Sequence, residues 1–117
     1  MKGEKKYLNA AESNLNYLLG ANPLDMCFVT GFGVNSPKYV HDRRCSSDTI
    51  SEPIPGLLVG GPNKQARADC GEVYYLSRYP ALSYLDMECI YATNEIAINW
   101  NAPLAFLIHS IEAEKSK

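Results

Sequence analysis

A chain of 117 residues with a net charge of −2 and a pI near 5.6 is one domain's worth of sequence without an electrostatic footprint for nucleic acid; Arg43-Arg44 is an isolated pair, not a basic stripe. No apolar run approaches the roughly eighteen residues that span a bilayer, so no membrane partner is expected. The opening Met-Lys-Gly-Glu-Lys-Lys lacks the apolar stretch of a signal peptide, and neutral polymers suit such a chain better than phosphates.

Residues 3 to 19 carry helical periodicity. Leu8, Ala11, Leu15, Leu18 and Leu19 fall on one face, with Lys5, Asn9, Glu12, Ser13 and Asn16 elsewhere. Gly20 then supplies a left-handed stop, and Pro23 follows where a helix cannot continue. From about residue 21 to residue 94 no period is sustained, and most of the prolines and glycines collect there. So long an irregular span is uncommon in a domain unless its loops carry function. Cys27-Phe28-Val29-Thr30 and Leu57-Leu58-Val59 are candidates for short strands, and residues 77 to 91 for a single helical turn. The last predicted element is a helix over about 102–113, with Asn101 as its N-cap, Pro103 in the first turn, and Leu104, Leu107, Ile108 and Ile111 at helical spacing. The fold class is mostly α, two helices flanking a loop-built region.

Cys27, Cys45, Cys70 and Cys89 are widely spaced, with none of the close pairs of a zinc ribbon or redox motif. Buried free thiols, one or two disulfides, and a metal site using His41 or Cys45 all remain open on these residues. Gly31-Phe32-Gly33 and Gly60-Gly61 lack any phosphate-loop continuation. The second pair, with Pro55, Gly56 and Pro62, reads instead as a rigid turn carrying Asn63.

The stretch Tyr84 to Ala102 holds the densest chemistry. Tyr84-x-Asp86, four residues, Tyr91, three residues, Glu95-x-Ala97, three residues, Asn101-Ala102 fills every constrained position of a pattern. Upstream stand Val29-Thr30, two residues, Gly33-x-Asn35, four residues, Val40-His41-x-Arg43. Pro55 to Asn63 lies between these two stretches, and Leu18-Leu19-Gly20-x-Asn22-Pro23 precedes both. These four ordered blocks closely resemble glycoside hydrolase family 9, the inverting cellulases, from about Leu15 to Leu107. Two positions depart from it: Cys27, where relatives usually carry a small hydroxyl residue or valine, and Asp42, where many carry histidine.

The resemblance implies that residues 1–117 are the C-terminal part of a six-hairpin (α/α)6 barrel of twelve helices, from a secreted or periplasmic parent. It implies Glu95 as general acid, Asp86 as a supporting signature residue that accepts amides, and His41 and Arg43 as ligands for sugar hydroxyls. Tyr91 and Trp100 become stacking faces of a cleft for β-glucan or cello-oligosaccharide, with no cofactor and no metal. The family's catalytic base stands in an Asp-rich motif far upstream, and Asp25, Asp42, Asp48, Asp69 and Asp86 match nothing of it. The isolated chain is therefore expected to be inactive. Helices Leu15/Leu18/Leu19 and Leu104/Leu107/Ile108 are expected to stand uncovered without the N-terminal part, leading to self-association or to pairing with it.

The residues alone also admit plainer readings. Thr93, Asn94, Ile96, Ala97, Ile98, Tyr91 and Trp100 around Glu95 would desolvate its carboxyl and raise its pKa, as a general acid needs, but Glu95 could equally cap a helix. Tyr74, Tyr75 and Tyr79 read as structural. A non-catalytic carbohydrate-binding remnant and a small cysteine-stabilised module are the alternatives to a hydrolase.

Overall fold

A computed structural model describes residues 2–47, 49–64, 68–71 and 77–116. Its regular elements are helices: α1 (Lys2–Leu18), α2 (Arg43–Ser46), α3 (Tyr91–Asn94) and α4 (Ile98–Lys115), with a 3-10 turn at Pro80–Leu82. Among the described residues the candidate strands are reduced to isolated bridges, antiparallel Val29 to Leu58, antiparallel Val59 to Ile96, and parallel His41 to Glu95. Tyr74, Tyr75 and Asp48 lie outside the described residues.

α1 ends where its sequence says it should. The Gly20 amide donates to the Tyr17 carbonyl at 3.4 Å and the Ala21 amide to the Asn16 carbonyl at 2.9 Å, the paired bonds of a Schellman stop, with Gly20 at φ +129°. Asn22 then fixes the reversal: its amide group donates to the Tyr17 and Met26 carbonyls, both at 2.7 Å, while its oxygen accepts from Leu24 at 3.0 Å. The chain thus re-enters alongside the helix it has just left.

That reversal delivers Phe28 to the centre of the core. It is 1% exposed, among Met26, Cys27, Val29, Val40, Leu58, Val59 and Leu104, and Leu15, Leu18, Trp100 and Ile108 pack against this cluster. The Phe28 amide donates to the Leu18 carbonyl at 2.8 Å, and its carbonyl accepts from Val59 at 3.1 Å. Its ring meets Tyr17 and Tyr84, with centroids 6.1 and 5.8 Å away. Burying such a ring contributes about 1.5–3 kcal/mol. Next to it, Gly31 (φ +74°) leaves no room for a side chain, since a Cβ there would lie 2.8 Å from that of Pro55.

α1 and α4 pack together and run antiparallel, with Lys115 bridging Glu12 at 2.7 Å at one end and Leu15, Leu18, Leu104 and Ile108 joining the core at the other. This corrects the expectation that those leucines stand uncovered: Leu104 is buried and Leu15, Leu18, Leu107 and Ile108 are half-buried, though Leu19 stays exposed. The uncovered apolar face is a different one. Ile98, Ala102 and Phe106, four residues apart along α4, are exposed. The radius of gyration, 15.6 Å, exceeds the roughly 13 Å of a compact chain of this size.

The start of α4 also differs from the expected one. The helix begins at Ile98 with Ala97 at its cap, so Asn101 lies inside the first turns. Its side chain is used elsewhere. Asn101 Oδ1 accepts from the Leu58 amide at 2.8 Å, and its Nδ2 donates to the Leu58 and Ala97 carbonyls at 2.9 Å. One amide side chain satisfies both backbone groups of a buried residue and ties the 55–63 loop to α4. No described helix is long and apolar enough to cross a membrane.

Candidate active site

His41 and Glu95 meet through their backbones. The His41 amide donates to the Asn94 carbonyl at 2.9 Å, and the Ile96 amide to the His41 carbonyl at 3.5 Å. The two strongest sequence candidates, far apart along the chain, are thus held side by side.

Each side of this pair is anchored by a buried or amide-accepting group. Asp86 accepts the backbone amides of Lys38 (2.7 Å) and Tyr39 (3.1 Å), fixing the loop that carries His41. Asn94 is fully buried. Its Nδ2 donates to the carbonyls of Leu85 (2.5 Å) and Met87 (3.1 Å), and its Oδ1 accepts from the Tyr84 hydroxyl at 2.5 Å. Burial first, and then the charge of Asp86, push the Tyr84 phenol well above its ordinary range, so it remains a hydrogen donor.

The His41 ring has a defined orientation. Nδ1 lies 2.7 Å from the Glu88 carbonyl, which can only accept, so Nδ1 carries the hydrogen. Nε2 stands 3.8 Å from Asp69 Oδ2, and the Tyr91 ring lies 6.1 Å away at 59°. Tyr91 is the half-buried first residue of α3. Tyr39, His41, Asp69, Asp86, Met87 and Glu88 line an open cavity of about 580 Å³ with Cys89.

Arg43 is exposed at the start of α2. Its neighbour Asp42 is engaged locally, accepting from the Arg44 amide at 2.8 Å as the N-cap and pairing with the Arg44 guanidinium. The Arg44 hydrogen bonds hold the Asp42 carboxyl below the usual carboxylate range, against the opposing effect of burial.

Glu95 corrects one expectation and its alternative. It is exposed, because Ile96 and Trp100 turn towards the core instead of screening it. Nor does it cap α4, whose N-terminus has no side-chain cap and no acid in its first turn. Trp100 is half-buried, and its Nε1 donates to the Leu58 carbonyl at 2.9 Å. Tyr79, read as structural, is exposed with the Arg78 guanidinium 5.3 Å from its ring centre.

The cysteines divide. Cys70 and Cys89 are disulfide-bonded, whereas Cys27 is a buried free thiol and Cys45 a half-buried one. No group of three or more metal-capable side chains gathers among the described residues, so neither His41 nor Cys45 belongs to such a cluster there. Sequence reasoning missed Asn94, Tyr84, Asp69 and the Glu88 carbonyl. Only Tyr84 carried a signal, its place in the Tyr84-x-Asp86 motif.

Comparison with known proteins gives this geometry a family. The model of glycosyl hydrolase family 9 matches residues 1–108. A xyloglucan-specific endo-beta-1,4-glucanase of Bacteroides ovatus is 47% identical over 111 residues, which are 95% of this chain and 18% of that protein. A solved Bacteroides ovatus GH9 structure superposes with a TM-score of 0.80 at 46% identity, covering 95% of this chain and 18% of that one. The structure of AaCel9A in complex with cellobiose-like isofagomine superposes with a TM-score of 0.72 at 41% identity, covering 82% and 18%. The chain belongs to glycosyl hydrolase family 9. It spans about a fifth or less of the length of the curated relatives it matches.

Proposed function

We propose that this chain is the C-terminal portion of a six-hairpin (α/α)6 barrel that hydrolyses β-1,4-glucosidic bonds of cellulose or a related β-glucan with inversion. Glu95 is its general acid. The observation that carries the reading is the backbone pairing of His41 with Glu95, beside the arginine-bearing turn of α2. Family membership supports it, as do the relatives: one is named for xyloglucan-specific endo-β-1,4-glucanase activity, and one was solved in complex with cellobiose-like isofagomine.

In this reaction Glu95 gives its proton to the glycosidic oxygen as the bond to the anomeric carbon breaks. A second carboxylate, about 6.5–9.5 Å away, draws a proton from the water that attacks the opposite face. That base belongs to a part of the enzyme outside this chain. His41 and Arg43 hold sugar hydroxyls, Arg43 through its rigid fork of donors. Tyr91 offers a ring face to the pyranose beside His41, Trp100 being turned to the core instead, and Asp86 keeps the His41 loop in place.

The exposure of Glu95 fits an acid whose desolvating walls come from the remainder of the barrel. The exposed α4 face of Ile98, Ala102 and Phe106 is where that remainder, or a second copy of the chain, would pack. A disulfide at the cavity favours an oxidising compartment, in keeping with a secreted or periplasmic parent.

The test is hydrolysis of a soluble β-1,4-glucan by the chain alone and by the chain recombined with the upstream portion of its parent, the anomeric configuration of the first product being read by proton NMR. New reducing ends of inverted configuration only in the recombined sample are expected. Retained configuration, or full activity from the chain alone, overturns the proposal.

A further inference from the structure

The two ring nitrogens of His41 are unequal. Because Nδ1 spends its hydrogen on the Glu88 carbonyl at 2.7 Å, Nε2 of the neutral ring presents a lone pair. Asp69 Oδ2, itself an acceptor, lies 3.8 Å from that lone pair, beyond hydrogen-bond reach. Two acceptors therefore face one spot at the wall of an open cavity. What satisfies them together is a pair of donors borne on neighbouring carbons, such as adjacent hydroxyls of one pyranose ring, each giving one hydrogen.

Asp69 is not left to a loose surface loop. Its amide donates to the Cys89 carbonyl at 2.7 Å, and the next residue, Cys70, is covalently joined to Cys89. Glu88, which orients His41, directly precedes Cys89. One disulfide thus holds the residue that fixes the imidazole and the carboxylate that faces it. An exposed ion pair between Asp69 and an imidazolium would contribute little and would need no such tether.

We propose that Asp69 is a further substrate-binding residue: with His41 Nε2 it receives two neighbouring hydroxyls of a glucosyl unit, and the Cys70–Cys89 disulfide holds it in position. This rests on the reading of the cavity as part of a glucan cleft. Reduction of the disulfide lets Asp69 drift from His41 and weakens sugar binding without touching Glu95.

Titration of the chain with cellotetraose, followed through the imidazole nitrogen-15 shifts of His41, tests the proposal. In the unsubstituted chain the sugar is expected to move the Nε2 resonance far more than that of Nδ1. Asp69→Ala is expected to weaken binding about tenfold, the loss of one hydrogen bond to a charged acceptor. Asp69→Asn, which keeps an acceptor oxygen, is expected to weaken it less, and Cys70→Ser or added reductant to reproduce the Asp69→Ala loss. Binding and Nε2 response unchanged in Asp69→Ala overturn the proposal and leave the cleft reading standing. A chain whose His41 resonances ignore cellotetraose overturns both.

Discussion

Tyr84 donates its phenolic hydrogen to Asn94 Oδ1 at 2.5 Å, and the carbonyl of the same Asn94 receives the His41 amide at 2.9 Å. A fully buried asparagine thus stands between the histidine and Glu95, the residue that follows it in sequence. The phenol is held far above its ordinary range by burial and by Asp86, so this bond persists across any working pH.

Removing that donor leaves an oxygen of a fully buried side chain without its hydrogen bond. Tyr84→Phe keeps the ring against Phe28 but leaves Asn94 Oδ1 unsatisfied, at a cost of about 1–3 kcal/mol. Thermal unfolding followed by circular dichroism should place the midpoint several degrees lower, at roughly 4–8 °C per kcal/mol for a chain near this size. An unchanged midpoint would mean that the bond adds nothing.

Asn101 gives a local test of the link between α4 and the 55–63 loop. Asn101→Leu removes the acceptor of the Leu58 amide and a donor to its carbonyl, both in a buried segment. Hydrogen exchange at the Leu58 amide is expected to accelerate about 10- to 100-fold, the equivalent of about 1–3 kcal/mol. Exchange at Lys115, at the far end of α4, should hardly change. Uniform acceleration along the helix would instead indicate global loosening.

How much of this was legible in the sequence differs by element. α1 and its stop were, because leucine spacing and Gly20 act locally and the fold obeys them. The start of α4 was not. Asn101 has the chemistry of a cap, but a tertiary contact to Leu58 claims its amide, and the helix begins earlier with no side-chain cap. The Glu95 environment was misjudged for a related reason: Ile96 and Trp100 are neighbours along the chain, yet their side chains serve the core. The family resemblance named His41, Arg43 and Glu95, whereas the contacts of Asn94 with the His41 amide and of Asp69 with the His41 ring exist only once distant loops close.

Asp42 links charge to stability. Its carboxyl lies below the usual range when folded, so the native chain binds fewer protons than the unfolded one, and the contribution is present above the unfolded carboxylate value. It is lost as the pH falls from about 4 through the folded value. Asp42→Asn keeps a capping oxygen but loses the charge pairing with Arg44. Urea midpoints are expected to be lower in this variant near pH 7 and to converge with those of the unsubstituted chain in acid. A difference that stays constant across pH would contradict the assignment.

The most direct measurement is glucan hydrolysis by the upstream portion of the parent recombined with either the unsubstituted chain or Glu95→Gln. Loss of the general acid is expected to lower the rate by about two to four orders of magnitude on an unactivated glucan, with cellotetraose binding retained. Equal rates from the two samples would contradict the account, since the proton would then come from some other group than Glu95.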